Sequence, residues 1–270
     1  MILNKEELAL SNLESWTRKL SFDCRQQRFD ACVVFLKSDN LSSIQLNSLA
    51  SQLPQEELAD VFKNSIFSRQ TDYVLGRLSA RKAVLTALGK DPFHKVSDSQ
   101  NLRILPGVFN QPVLSAHGQA NRLGVSISHR CGSAVALAFD RRHPMALDLE
   151  CIDPAQEIVF QQFVDSDELQ SIRSSLSGLT HLEQISLIWT CKEALGKVMG
   201  CGLTVPSEFL AVAGAEPSLC FEQPQGSVSG WRGLFRNCPQ FSWYAWKLED
   251  YWLTVVAPAQ SRLIFISPSL

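Results

Sequence analysis

The spacing of apolar residues predicts the elements of the first half of the chain. The run "ACVVFLKS" is short and β-branched, which is typical of a buried strand. Helical spacing predicts a helix over "PQEELADVFKNSI", with Pro54 in its first turn, and a longer helix over "DYVLGRLSARKAVLTALG" that ends at Gly89. After a polar stretch from Lys90 to Gly124, "VSISHR" and "SAVALAFD" predict a hairpin. The first twenty residues are interpreted as an amphipathic helix.

The second half of the chain repeats this order of elements. A strand "PMALDLE" is followed by a helix around "AQEIVFQQFVDSDELQSIRS" and a long helix "HLEQISLIWTCKEALGKVMG". An irregular stretch rich in Gly and Pro then leads to two strands, "FSWYAWKLE" and "YWLTVVAPA". The pattern predicts an α+β fold of two similar halves, residues 1–142 with an N-terminal helical extension and residues 143–270. Functional sites often lie in the cleft between such halves.

Composition limits the classes of function. With 45% hydrophobic and 19% charged residues, and no long apolar run, a soluble globular protein without a membrane segment is expected. The net charge of -2 provides no overall attraction for nucleic acid. The N-terminus lacks the pattern of a secretory signal, and the eight cysteines show no metal-binding spacing. Reduced thiols in a cytoplasmic protein are therefore expected.

The stretch "WTCKEALGKVMGCGL" carries the first candidate chemistry. On a helical wheel, Glu193, Gly196, Lys197 and Gly200 fall opposite the apolar stripe that would pack into the core. By itself, the spacing of Glu193 and Lys197 favours a solvated ion pair worth a few tenths of a kcal/mol. Each glycine costs about 1 kcal/mol in a helix, and close approach of a ligand or of another backbone is the usual reason for one.

The strand "MALDLE" carries two carboxylates on one face. Alternation places Asp148 and Glu150 side by side, roughly 7 Å apart, and like charges so placed repel unless a cation lies between them. Mg²⁺ suits such a pair, particularly if Glu193 adds a third carboxylate. A wet, acidic edge strand is the alternative, and for the isolated motif it is favoured.

Two further segments could contact phosphate. Ser128 and His129 lie at the end of the strand "VSISHR", although adjacent residues project to opposite faces and do not suggest a nucleophile pair. Arg77 and Arg81 share a face of the helix "GRLSARK", where an anion between them would relieve their repulsion. A structural histidine and a solvated basic helix face are the respective alternatives.

These four segments, in this order, resemble the 4′-phosphopantetheinyl transferase superfamily, in its longer branch named after the surfactin-synthetase activating enzyme. "ALDLE" looks like the family's G-[IV]-D-[IVL]-E strand, with Ala146 in place of glycine, and Trp189–Leu203 looks like its W-x-x-K-E-x-x-x-K-x-x-G-x-G-L helix. "NQPVL" aligns with a G-K-P-x-[LF] element, but Gln111 stands where the family has a phosphate-contacting lysine. This departure puts the strength of coenzyme A binding in doubt.

The resemblance implies an enzyme that moves 4′-phosphopantetheine from coenzyme A to a serine of an acyl, peptidyl or aryl carrier protein, releasing 3′,5′-adenosine bisphosphate. Glu193 would be the base, and Lys197 would stabilise or protonate the leaving phosphate. Mg²⁺ would be surrounded by Asp148, Glu150 and Glu193. The residues implied to hold coenzyme A and its metal are Arg77, Arg81, Lys82, Ser128, His129, Asp148, Glu193 and Lys197.

The expected partners and the rival functions follow from the same resemblance. A two-halved chain can form its cleft alone, so a monomer is expected. Fatty acid, polyketide and nonribosomal peptide synthesis remain open as the pathway served. One rival is a non-catalytic module of the same fold that binds coenzyme A or a carrier protein, and the loss of lysine at Gln111 gives it some weight. A second is a Mg²⁺-dependent phosphohydrolase, which would break down coenzyme A without a carrier.

Overall fold

The computed structural model describes residues 13–38, 40–90, 102–115, 118–223 and 226–268. The helices are α1 (Ser43–Ala50), α2 (Gln55–Asn64), α3 (Phe67–Ala87), α4 (Glu157–Gln161), α5 (Ser166–Arg173) and α6 (His181–Met199). The strands are β1 (Glu14–Cys24), β2 (Gln27–Lys37), β3 (Arg103–Pro106), β4 (Pro112–Ser115), β5 (Leu123–Arg130), β6 (Ser133–Asp140), β7 (Ala146–Cys151), β8 (Val212–Gln223), β9 (Gly226–Phe235), β10 (Phe241–Leu248), β11 (Tyr251–Pro258) and β12 (Arg262–Pro268). The mixture of helices and strands confirms the α+β class, while the pseudo-repeat stays a prediction.

Two five-stranded antiparallel sheets form the framework. The first has the strand order β12-β1-β2-β6-β5, and the second has the order β7-β11-β10-β9-β8. Strands of both sheets contribute to one apolar cluster that includes Phe22, Phe35, Tyr244 and Trp246. Helix α3 packs on the first sheet and α6 on the second. The last strand, β12, pairs with β1, so the end of the chain completes the first sheet.

The two sheets meet where β5 lies beside β7. The Ser126 hydroxyl accepts a hydrogen bond from the Leu147 backbone N–H at 3.1 Å and lies 3.4 Å from the Leu147 carbonyl oxygen. Because Ser126 is buried, these contacts also provide hydrogen-bond partners for its hydroxyl and for the Leu147 backbone N–H. The junction therefore fixes Ser128 and Asp148 close to each other.

Most of the predicted elements are confirmed. The strand "ACVVFLKS" lies in β2, the two helices of the first half are α2 and α3, and β5 and β6 form the predicted hairpin. The strand "PMALDLE" is β7, the long helix is α6, and the terminal hairpin is β10 and β11. Within the described part of the chain, no helix has the length and apolar character of a membrane span.

Three expectations about secondary structure are wrong. The predicted N-terminal helix is strand β1 from Glu14 onward, where Trp16, Arg18 and Leu20 are buried at a spacing of two; residues 1–12 lie outside the described residues. The helix around "AQEIVFQQFVDSDELQSIRS" is divided into α4 and α5, because Asp165 and Glu168 form a capping box that starts a new helix. The irregular Gly and Pro stretch contains the paired strands β8 and β9.

A buried histidine predicts a pH-dependent stability. His143 is 2% exposed, its Nε2 lies 2.6 Å from the Ser261 hydroxyl, its Nδ1 has no hydrogen-bond partner, and its ring stacks on Phe29. Burial lowers the pKa of His143 to about 4, below its usual value of 6.5. Neutral His143 therefore contributes fully to the unfolding free energy above about pH 6.5. We expect the unfolding free energy to fall by on the order of 2 kcal/mol as the pH falls toward 4.

Chemical denaturation between pH 7 and pH 5 measures this effect, since most carboxylates stay ionised in that window. The difference in unfolding free energy between wild type and His143→Gln should shrink as the pH falls, because only the wild type must bury a titrating imidazole. Parallel pH curves for the two proteins would contradict the prediction.

Candidate functional site

Three elements bring the predicted site residues together at the β5/β7 junction. Ser128 lies near the end of β5, Asp148 in the middle of β7 and Lys197 in the last turn of α6. The Ser128 hydroxyl and the Lys197 ammonium each donate to Asp148 Oδ1 at 2.7 Å. The site therefore joins residues that are far apart in the chain, and it depends on the packing of both sheets and α6.

Asp148 is the buried centre of this cluster. It is 4% exposed, and its Oδ2 has no hydrogen-bond partner. A buried carboxylate oxygen without a partner carries a desolvation cost that a bound cation or a donor would offset. Asp148 Oδ2 is thus the clearest open acceptor in the site.

Lys197 differs from the simple interpretation as a surface ion pair with Glu193. Its Nζ forms an ion pair with Asp148 and also lies 3.3 Å from the Ile127 backbone carbonyl oxygen. The side chain is only 27% exposed. Lys197 therefore bridges α6 to both β5 and β7, and its charge faces the carboxylates of the junction.

Glu193 and Glu150 complete the set of carboxylates. Burial, followed by repulsion from Asp148, raises the pKa of Glu193 to about 7, and Glu150 adds to this effect while Lys197 opposes it. Burial also raises the pKa of Glu150, while the Arg130 charge opposes the shift and Asp148 adds to it. Each of the two glutamates therefore feels the charge of Asp148, which indicates one electrostatically coupled site.

The carboxylate oxygens of this site are the kind of ligand that a hard divalent cation prefers. Three coupled carboxylates and an unpartnered oxygen on Asp148 provide the oxygen ligands and the negative charge that Mg²⁺ prefers. Within the described ranges, no three His, Cys, Asp or Glu side chains are already gathered as a metal cluster. The assignment of Asp148, Glu150 and Glu193 as metal ligands stays a prediction.

Arg77 and His129 lie on the side of β5 that faces α3. Arg77 is 8% exposed, stacks over the Tyr73 ring at 4.8 Å and has no hydrogen bond at Nη1. His129 Nδ1 lies 3.9 Å from Asp72, and burial lowers the pKa of His129, so its neutral form predominates at pH 7. Both side chains retain hydrogen-bonding capacity, but their role in binding coenzyme A stays a prediction.

Arg81 has a structural partner that the sequence did not predict. It forms a buried ion pair with Glu57 of α2 at 2.8 Å, and the same Glu57 oxygen accepts the Ile104 backbone N–H at 3.0 Å. Arg81 therefore ties α2 and β3 to α3. Lys82, the next residue, is half-buried and burial lowers its pKa. For both residues the predicted contact with coenzyme A stays untested.

Gly196 and Gly200 are required for two different structural reasons. A Cβ atom on Gly196 would lie 2.4 Å from the Gly202 carbonyl oxygen, so the chain's own backbone occupies that space. Gly200 ends α6 with a φ of 70°, a left-handed conformation that favours glycine. The close approach of a backbone is thus confirmed as the reason for Gly196.

Alanine substitutions should separate the two glycines. Gly196→Ala should cost about 2 kcal/mol or more in unfolding free energy, because backbone must move to admit the methyl group. Gly200→Ala should cost only about 1 kcal/mol, from the strained φ, since nothing lies within 4 Å of its Cβ. Urea denaturation of the two variants measures both values, and a larger loss for Gly200→Ala would contradict this account.

Gln111 has a local structural role. Its side-chain oxygen accepts the Phe109 backbone N–H at 2.8 Å, and its backbone carbonyl accepts the Gly107 N–H at 2.8 Å. These bonds shape the turn between β3 and β4. The Gln111 side chain, which the resemblance aligns with a family lysine, therefore stabilises the turn between β3 and β4.

The fold and the site define an α+β protein whose carboxylates and lysine meet at the junction of two antiparallel sheets. Residues 144–256 match the family model described as the 4′-phosphopantetheinyl transferase superfamily. This match confirms the resemblance to the superfamily over residues 144–256, while the longer branch stays a prediction. The match includes Asp148, Glu150, Glu193 and Lys197, and it supports a phosphopantetheine transferase role. A search of curated proteins found no match for the chain.

Proposed function

We propose that this protein transfers 4′-phosphopantetheine from coenzyme A to a serine hydroxyl of an acyl, peptidyl or aryl carrier protein, in a Mg²⁺-dependent reaction that releases 3′,5′-adenosine bisphosphate. The observation that carries the proposal is the meeting of Ser128, Asp148 and Lys197 at the β5/β7 junction, with Glu193 electrostatically coupled to them. Most of these residues lie inside the segment that matches the superfamily.

Glu193 is the proposed base. Without a metal, burial and the neighbouring carboxylates raise its pKa to about 7, and a bound cation would favour the ionised form that accepts a proton. It is half-buried and has no hydrogen bond or ion pair within the described residues, so its oxygens are open to an incoming hydroxyl. Glu193 would take the proton of the carrier serine as that oxygen attacks phosphorus.

Lys197 is the proposed partner of the leaving group. It stands one helical turn after Glu193, and its ammonium is already directed toward the junction by Asp148 and the Ile127 carbonyl. A lysine so placed can stabilise the negative charge that develops on the departing bisphosphate. The two α6 residues would thus serve the attacking and the leaving oxygen respectively.

Mg²⁺, when bound, would neutralise charge on the pyrophosphate of coenzyme A. Asp148, Glu150 and Glu193 are the proposed residues around it. Arg77, Arg81, Lys82, Ser128, His129 and Lys197 are proposed to hold coenzyme A, in a cleft between the halves 1–142 and 143–270. A cytoplasmic monomer of the longer branch is proposed, because a two-halved chain supplies both sides of that cleft.

Incubation with coenzyme A, Mg²⁺ and a panel of apo carrier proteins tests the proposal. Mass spectrometry should show that a carrier gains the mass of phosphopantetheine, and that chelation of Mg²⁺ prevents the gain. An unmodified panel with retained coenzyme A binding would favour the non-catalytic module. Coenzyme A breakdown without a carrier would instead favour a phosphohydrolase.

A further inference from the structure

Glu150 differs from the other two carboxylates because protein groups already occupy both of its oxygens. Arg130 Nε lies 2.8 Å from Glu150 Oε1 in an ion pair, and the Cys151 backbone N–H donates to the same oxygen at 3.1 Å. The Trp189 indole N–H donates to Oε2 at 3.2 Å. The Glu150 side chain is only 11% exposed. The protein therefore fixes the orientation of the Glu150 side chain and supplies an opposite charge beside it.

Asp148 and Glu193 each keep oxygen atoms without a protein partner in the described part of the chain, although Lys197 and Ser128 both contact Asp148 Oδ1. Asp148 Oδ2 is buried without a partner, and the structure shows no hydrogen bond or ion pair for the Glu193 carboxylate within the described residues. Buried carboxylate oxygens without donors are costly, and a cation offsets that cost. The structure thus divides the three carboxylates by their oxygens: among the described residues, Asp148 and Glu193 keep oxygens without a protein partner, whereas both oxygens of Glu150 are contacted by protein groups.

The Arg130 charge should keep Glu150 from coordinating a metal directly. A divalent cation coordinated directly by Glu150 would lie beside the Arg130 guanidinium, and like charges at such a distance repel strongly in a partly buried site. Arginine stays protonated, so the repulsion cannot be relieved by loss of a proton. Moving Arg130 away would instead leave Glu150 without its ion pair.

We propose that Arg130 is a positioning residue that, together with Trp189, holds Glu150 outside the ligand shell of the metal, so that Asp148 and Glu193 are the protein's direct metal ligands. This inference rests on the proposed function and refines its metal site. Glu150, paired with Arg130, would then influence the site only at a distance, and a bound metal would keep for water or a phosphate oxygen the position that Glu150 would otherwise fill.

Binding of Mn²⁺, used in place of Mg²⁺, tests the inference on the full chain without coenzyme A. Electron paramagnetic resonance measures free Mn²⁺ and gives the dissociation constant. The decisive variant is Arg130→Gln/Glu150→Gln, which removes the ion pair without changing the net charge. We expect its Mn²⁺ affinity to stay within about threefold of wild type, whereas Asp148→Asn and Glu193→Gln should each lose tenfold or more, as is usual for lost metal contacts.

Single variants separate positioning from simple charge. Arg130→Gln alone should tighten Mn²⁺ binding several-fold, because the released Glu150 can then reach the metal, while Arg130→Lys should stay near wild type because the positive charge is kept. Water-proton relaxation counts the waters on bound Mn²⁺. That number should be unchanged in the double variant, should fall in Arg130→Gln, and should rise in Asp148→Asn.

The inference is overturned if the double variant loses as much Mn²⁺ affinity as Asp148→Asn, or if wild type binds no Mn²⁺. Circular dichroism and unfolding curves identify a misfolded variant, and the Arg130→Lys and Glu150→Gln single variants then provide the same comparison. Because Mn²⁺ binding is measured without transfer, a chain that binds Mn²⁺ as expected but modifies no carrier would contradict the proposed function and leave this inference standing.

Discussion

Lys192→Met is expected to lower the unfolding free energy by about 3 to 5 kcal/mol, the usual cost of removing one partner from a buried ion pair. Lys192 is 1% exposed, and its Nζ donates to Glu168 at 2.7 Å, to the Phe163 carbonyl at 2.5 Å and to the Ser207 hydroxyl at 2.7 Å. Methionine keeps the volume but leaves the fully buried Glu168 carboxylate without its counter-charge. Urea denaturation followed by tryptophan fluorescence measures the loss.

Lys247→Met is the matched control, because Lys247 also pairs with a glutamate, Glu183 of α6. That pair, with Glu183, is more exposed, with 35% of the lysine side chain accessible. Exposed pairs contribute about 0 to 1 kcal/mol, so this variant should remain close to wild type. If the unfolding free energy of Lys192→Met also remained within about 1 kcal/mol of wild type, the pair of Lys192 with Glu168 would not stabilise the fold as expected.

The secondary structure was predictable where one pattern dominated locally. The β-branched run of β2 and the long periodic stretch of α6 met no competing signal. In β1, Trp16, Leu20 and Phe22 follow an alternating pattern, but the apolar residues before them favoured a helical interpretation. Antiparallel pairing with β2 and β12 stabilises the strand instead. The pairing of β1 with β12 joins residues at opposite ends of the chain, so no local window could reveal it.

The candidate site was predictable in its residues and less so in its contacts. The resemblance singled out Asp148, Glu193 and Lys197, and the structure places them at one junction. The ion pair of Lys197 with Asp148 and that of Arg130 with Glu150 were not predicted. Both cross between elements whose approach is set by the sheet packing, whereas the sequence alone offered only the neighbour one helical turn away.

Glu193→Gln is expected to lower the rate of phosphopantetheine transfer by roughly 10²- to 10⁴-fold, the usual contribution of a general base. The shape of the side chain is kept, but an amide cannot accept the proton of the carrier serine. The unfolding free energy should be equal or higher, because the substitution removes a carboxylate that burial and repulsion from Asp148 disfavour. A variant that is inactive yet at least as stable would separate function from folding.

Glu208→Gln makes the same change of charge at an exposed position and should keep transfer within about twofold of wild type. Because Glu193 is proposed both to accept the proton and to contact the metal, a titration with Mg²⁺ must distinguish the two roles. If weakened metal binding caused the whole loss, high Mg²⁺ would restore the rate. We expect the rate of Glu193→Gln to stay low at saturating Mg²⁺, since no concentration of metal supplies the missing base. Full restoration by Mg²⁺ would assign the proton transfer to another group.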